Sequence, residues 1–217
     1  MADIAREAVD FLDSVVAAES DNRAQGEQDL RFRFGDQWPV DMINSRKLAE
    51  RPALTINETD TSVRQVVNQL RQQRPRIKAH PIDSFADPKI AEVITGLTRH
   101  VEVNSDADNA YDLAGEFMVT MGWGYWRLRM DFVREDSFDQ DIFIDPVTNP
   151  FSVYFDPTSD RPDGSDAEKA LITDTMTLKA FQRQYPGAKT ESAFTATGAG
   201  DATASWITKD TIRLAEY

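Results

Sequence analysis

Hydrophobic periodicity switches along this chain at Gly122 and Gly124, and that switch limits the possible folds more than any other feature. Before it, apolar residues recur every three or four positions, the spacing that gathers them on one side of a helix. After it, Trp126, Leu128, Met130 and Phe132 alternate with Arg127, Arg129 and Asp131, the period-two pattern of a half-buried strand. The expected class is therefore α+β, with residues 1–121 mostly helical and 122–217 mostly strands and loops. At 217 residues the chain is long enough for one large domain or two small ones and for a sizeable core.

Ile4, Ala8, Phe11, Leu12 and Val15 predict a helix from about Asp3 to Asp29, ended by the Gly35 and Pro39 of LRFRFGDQWP. A short helix over 40–50 stops before Pro52. Val63, Val66, Val67 and Leu70 form the stripe of a third helix, terminated by Pro75. IKAHPI is expected as an edge strand, because Pro81 cannot donate to a ladder. Asp87-Pro88 supplies an N-cap carboxylate and a proline at the first helical position, with Ile90, Val93, Ile94, Leu97 and Val101 as the buried stripe. Ser105 is expected to cap the next helix, whose face carries Ala107, Tyr111, Ala114, Met118 and Met121. Beyond the switch, Ile142 with Ile144 and Val153 with Phe155 extend an antiparallel meander. Residues 169–175 add a strand, and Thr177 caps a helix carrying Leu178, Phe181 and Tyr185, ended by Pro186-Gly187. The stretch from Glu191 to Ser205, rich in Ala, Thr and Gly, reads as mobile. TIRLAEY reads as a strand, from which the parent polypeptide is expected to continue beyond Tyr217.

Charge narrows the functional classes. The formal net charge of −13 disfavours a role in coating nucleic acid or lying on a membrane surface, both of which need a basic footprint. No cysteine is present, which removes disulfides, thiolate metal sites and cysteine nucleophiles. Acidic residues interrupt MADIAREAVDFLDSVV throughout, so it lacks the apolar core of a signal peptide, and no apolar run is long enough to cross a bilayer. From Arg46 to Lys78 basic residues outnumber acidic ones, and from Arg129 to Glu168 the balance reverses. Such asymmetry points to two faces with different partners.

No catalytic constellation stands out. His80 and His100 lack HExxH or other ligand spacing, and no GxSxG, GxxxxGK[ST] or GxGxxG occurs. MGWGYW runs from helix to strand, whereas a phosphate loop needs the reverse order. Asp156, Asp160, Asp163 and Asp166 supply four carboxylates in one loop, a candidate cation site. Counting from Asp156, however, Arg161 stands where an EF-hand needs glycine and Ala167 where it needs glutamate, and aspartates in turns are explained by local backbone bonding. Arg71, Arg74, Arg76 and Lys78 cluster at a helix C-terminus, where the macrodipole already favours cations, and are also candidate contacts for a phosphate or for an acidic neighbour. Trp38, Trp123, Trp126 and Trp206 fit a core or subunit interface better than a ligand box. No catalytic residue, cofactor or metal is assigned.

Taken in order, FGDQWP, RPALTIN, the helix ending RQQRPRI, AYDLAGEFMVTMGWGYWRLRMDF and REDSFDQDIFIDPVTNPFSVYFDPTSDRPDGSDAE resemble the N-terminal part of portal proteins from short-tailed, podovirus-type bacteriophages. The resemblance runs from about residue 6 to residue 187 and weakens from Lys189 to Asp210. It implies a structural head-to-tail connector at one capsid vertex: a homo-oligomeric ring, typically a dodecamer, through which double-stranded DNA is packaged and ejected without sequence-specific binding. Implied partners are terminase, capsid and tail proteins, with no membrane. The implied location is the virion, and the host cytoplasm during assembly. This chain would be chiefly the peripheral wing, with stem, clip and crown outside it. Basic Arg71–Lys78 would then meet the Asp156–Asp166 loop of a neighbouring subunit. Two other classes remain open at this point: a phage adaptor or scaffolding protein, and a metal-dependent nuclease using the aspartate loop.

Overall fold

The computed structural model describes residues 2–74, 76–82, 87–134, 136–161, 164–188 and 210–217. Among them the order is α1 (Ala2–Arg33), α2 (Val40–Leu48), α3 (Thr59–Gln72), α4 (Pro88–Asn104), α5 (Ala107–Met121), β1 (Trp126–Phe132), β2 (Gln140–Pro146), β3 (Val153–Phe155), β4 (Ala170–Thr177), α6 (Leu178–Gln184) and β5 (Thr211–Glu216). The class is α+β. The strands make two antiparallel sheets, β1–β2 and β3–β4–β5, and not one continuous meander, because β2 pairs with β1 and β3 pairs with β4. Pro75, the 191–205 stretch and Trp206 lie outside the described residues.

Two compact units emerge, Met1–Gln28 with Phe151–Tyr217, and Asp29–Pro150. In the first, Phe11, Leu12, Val15 and Val16 form one stripe of α1 and pack with Tyr154 and Leu171. Tyr154 and Leu171 are cross-strand partners, so they project from the same face of the sheet. Val15 is 0% exposed and Tyr154 and Leu171 are each 1% exposed, burial that contributes about 1.5–3 kcal/mol per large side chain. Arg23 donates to the carbonyls of Phe151 (2.8 Å) and Val153 (2.5 Å) and lies over the Tyr154 ring at 4.3 Å. A polar chain is buried too: Arg213 Nη2 donates to Thr173 Oγ1 at 3.1 Å, and that hydroxyl donates to the Ser152 carbonyl at 3.2 Å. Thr177 caps α6 as expected, its Oγ1 accepting from Ala180 N–H.

In the Asp29–Pro150 unit, the helix-to-strand switch needs both of its glycines, for different reasons. Gly122 caps α5 at φ 95°, a conformation that disfavours a Cβ. A Cβ on Gly124 would sit 2.0 Å from the Ala114 carbonyl oxygen, so only glycine permits this approach. Ala107 and Ala110 then bury Ile144 of β2, with Val101 and Tyr111 alongside.

Several expectations change here. IKAHPI forms no strand; the Ala79 N–H is satisfied by Thr95 Oγ1 at 3.1 Å, a side-chain partner that replaces a ladder. Ser105 is the C-cap of α4, while Asp106, in the left-handed region at φ 48°, precedes α5 and turns the chain. The Asp87 cap is present, accepting from Lys89 N–H at 2.9 Å. The stripe it introduces is not buried: Ile90, Val93, Ile94 and Leu97 are exposed, whereas Ala91, Thr95 and Thr98 on another face are only partly exposed. The alternation in β1 is likewise inverted, with Leu128 at 69% exposure and the charged Arg127 and Arg129 more covered. Helix and sheet patterns predicted which residues share a face, but within this chain only the ends of these faces are covered: Val101 packs by Ala107, Ala110 and Ile144, and Trp126 meets Tyr111.

Candidate functional site

The candidate basic cluster begins at the end of α3. Arg71 Nε lies 3.0 Å from Asp112 Oδ2, and Arg74 forms ion pairs with both Asp108 and Asp112 while donating to the Asp108 carbonyl at 3.3 Å. Asp108 and Asp112 stand four residues apart on α5, one helical turn, so both carboxylates face α3. Two of the four predicted cations thus tie α3 to α5. Arg76 and Lys78 follow in the extended segment and are exposed.

The aspartate loop is organised by its own backbone. Asp156 accepts from Thr158 N–H (2.9 Å), Thr158 Oγ1 (2.6 Å) and Glu168 N–H (3.2 Å). Asp166 accepts from Ser159 Oγ (2.7 Å), Asp160 N–H (2.8 Å) and Arg161 N–H (3.4 Å). These donors hold both carboxyls below the usual carboxylate range, led by Thr158 Oγ1 for Asp156 and Ser159 Oγ for Asp166. Asp160 is exposed, and Asp163 lies outside the described residues. Asp156 and Asp166 point their oxygens at N–H and O–H groups of their own loop, the arrangement of a folded turn. Among the described residues no group of His, Asp and Glu converges in metal-ligand geometry.

The same direction recurs elsewhere. The Lys169 ammonium, 2.5 Å from Glu7, holds that carboxyl low, and Asp131 is held low by the Phe132 N–H and then by Arg129. Each carboxyl with a displaced pKa is displaced downward, which stabilises a charged base and disfavours a general acid. His80 is exposed in the segment before α4, and His100 Nε2 stands 3.7 Å from Asp141.

Residue patterns did not single out the most connected polar group. Arg33, 5% exposed, bonds Asp60 of α3 (3.2 Å) and Thr120 (2.9 Å) and Glu116 (2.5 Å) of α5, while its carbonyl accepts from Asn57. Its signal was faint: an arginine in the last turn of a helix is already favoured by the macrodipole. On the other face of β1, Arg129 bridges Asp145 at 2.6 Å and pairs with Asp131. Trp38 and Trp123 are half-buried, and Trp126, half-exposed, meets Tyr111 edge-on at 5.4 Å.

The assembled features are structural ion pairs plus uncovered apolar surface, the properties of an element of a larger assembly. No helix is long and apolar enough to cross a membrane among the described residues. A family model described as "Phage P22-like portal protein" matches residues 9–217. The chain is also 29% identical over 159 residues to a "Portal protein" of Acyrthosiphon pisum secondary endosymbiont phage 1, an alignment covering 70% of this chain and 22% of that relative. The chain therefore spans less than a quarter of that relative's length. With nearly its whole length matched by one family model, this chain belongs to the phage P22-like portal protein family.

Proposed function

We propose that this chain is the N-terminal, mainly wing-forming region of a portal subunit, a non-enzymatic connector that assembles as a homo-oligomeric ring at one capsid vertex. Viral DNA passes through the ring during packaging and ejection. The ring is a dodecamer; a terminase drives DNA in from one side, and tail proteins close the channel after packaging. Stem, clip and crown come from other parts of the subunit. The protein resides in the virion at the portal vertex and in the host cytoplasm during assembly. The match of one portal family model to residues 9–217 carries this reading.

Two physical features support it. A net charge of −13 suits a wall that surrounds DNA without gripping it, since each cation placed on a phosphate adds a binding contribution. Large exposed apolar surface on a folded unit suits subunit contact. With Arg71 and Arg74 committed to α5, the charge pairing between neighbouring copies falls to Arg76 and Lys78 against the loop that contains Asp160. Electron microscopy of the full-length protein tests the reading. A closed twelve-fold ring is expected; a lone subunit at high concentration that cleaves DNA in magnesium would overturn it and revive the nuclease alternative.

A further inference from the structure

Within the Asp29–Pro150 unit, the β1–β2 hairpin ends in an apolar tip set among acids. Phe138 is 94% exposed, and Phe132 and Val133 are each 50% exposed. Between Asp131 and Asp141, four aspartates (Asp131, Asp136, Asp139, Asp141) stand against Arg134 among the described residues. Several hydrogen bonds tie the described residues of the tip together. Val133 N–H donates to the Asp139 carbonyl (2.9 Å) and Ser137 N–H to the Arg134 carbonyl (3.1 Å), while Ser137 Oγ and Asp139 exchange side-chain and backbone bonds at 3.0 Å. An ordered loop that presents a phenylalanine almost wholly to water loses little entropy on docking it.

The same unit carries a receptor of matching character. Between Gly35 and Thr55 lies a cleft of about 400 Å³ whose lining includes the apolar Trp38, Ile43 and Ala53 and the charged Lys47, Arg51 and Asp36. Arg46 lies over the Trp38 ring at 4.5 Å and donates to the Pro52 carbonyl at 2.9 Å, which fixes the wall. The volume accepts a phenyl ring, and Lys47 and Arg51 complement the aspartates of the tip.

We infer that the Phe138 tip of one subunit docks in the Trp38–Arg51 cleft of a second copy of this chain. Phe138 is exposed in its own subunit, so the tip is not seated in the cleft of that subunit. A knob and a socket on different patches of one chain make a heterologous contact, the type that closes rings by rotation. The inference rests on the ring reading of the preceding subsection and names two surfaces that form the ring.

These 217 residues contain no cysteine, so a full-length protein with every cysteine elsewhere replaced by serine reports only on introduced pairs. That protein, carrying Ala53→Cys and Asp136→Cys together so that Phe138 is kept, is oxidised after assembly and run on a non-reducing gel. A ladder of covalent multimers is expected, absent from either single variant. Lys47→Glu with Arg51→Glu should lower the ring fraction by about tenfold, and Asp136→Lys with Asp139→Lys in the same chain should restore it. Intact rings without a ladder overturn the inference but leave the ring reading standing, and so does a crosslink within one subunit. Absence of rings from the unmodified protein overturns the ring reading, and the inference falls with it.

Discussion

The two compact units of this chain treat apolar residues in opposite ways. Around α1 and the three-stranded sheet, Phe11, Leu12, Val15, Val16, Tyr154 and Leu171 close a core within the chain. Of the large hydrophobic side chains found exposed, all but Ile4, Tyr185 and Tyr217 lie in the Asp29–Pro150 unit. Both units have amphipathic patterns of ordinary strength, so the difference lies not in the pattern but in what the patterned face meets. The first unit closes its apolar residues into one core. The second has a smaller core around Ala107, Ala110 and Ile144, is fastened by ion pairs, and leaves much of its apolar surface exposed.

Substitutions should separate the two regimes. The largest stability loss is expected in the first unit: Tyr154→Ala and Leu171→Ala should each cost about 2–5 kcal/mol, read as a lowered urea midpoint. Equal costs for Leu97→Ser or Met130→Ser would break the contrast, because those exposed positions should change stability by less than about 0.5 kcal/mol. Next comes Arg33→Met, which strips a buried donor from Asp60, Glu116 and Thr120. A loss of about 2 kcal/mol by thermal melting is expected, confined to hydrogen exchange within residues 29–150. Arg74→Ala should cost about 1 kcal/mol, and less at 1 M salt, since its partners Asp108 and Asp112 are partly solvated.

The smallest effect is pH dependence in the aspartate loop. Asp156 and Asp166 have carboxyls held low by their own loop, so their stabilisation is present above the ordinary aspartate range near pH 4 and is lost as pH falls through their depressed values. Asp166→Asn should lower stability slightly at pH 7 and flatten its decline below pH 4; an unchanged acid profile would contradict the hydrogen-bond assignment.

Local chemistry was legible where the deciding atoms are close in sequence. The Asp87 and Thr177 caps, the stop at Gly35 and the turn at Gly122 depend on neighbours within a few residues. The helix stripes were legible as stripes, yet periodicity cannot tell whether Ile90, Val93, Ile94 and Leu97 meet this chain or another. For the same reason the alternation in β1 did not tell that Leu128 and Met130 stay exposed while Trp126 of the same row meets Tyr111. IKAHPI misled because an extended, apolar segment resembles a strand until one asks what pairs with it, and Thr95 takes the N–H that a ladder would have used. Of the candidate cations, Arg71 and Arg74 meet on Asp112, and the choice of Asp108 and Asp112 as partners depends on the packing of α3 against α5, which spacing alone does not encode. The resemblance read from ordered segments reached the right family because it used the whole arrangement and no single site.

Hydroxyl-radical footprinting of the full-length protein, as free subunit and as ring, asks whether the apolar surface of Asp29–Pro150 is buried between subunits. Oxidation of Leu128, Met130, Phe132 and Phe138 should be high in the free subunit and fall on assembly, while Phe11 and Tyr154 stay protected in both. Equal labelling of the four residues in the two states would contradict that burial.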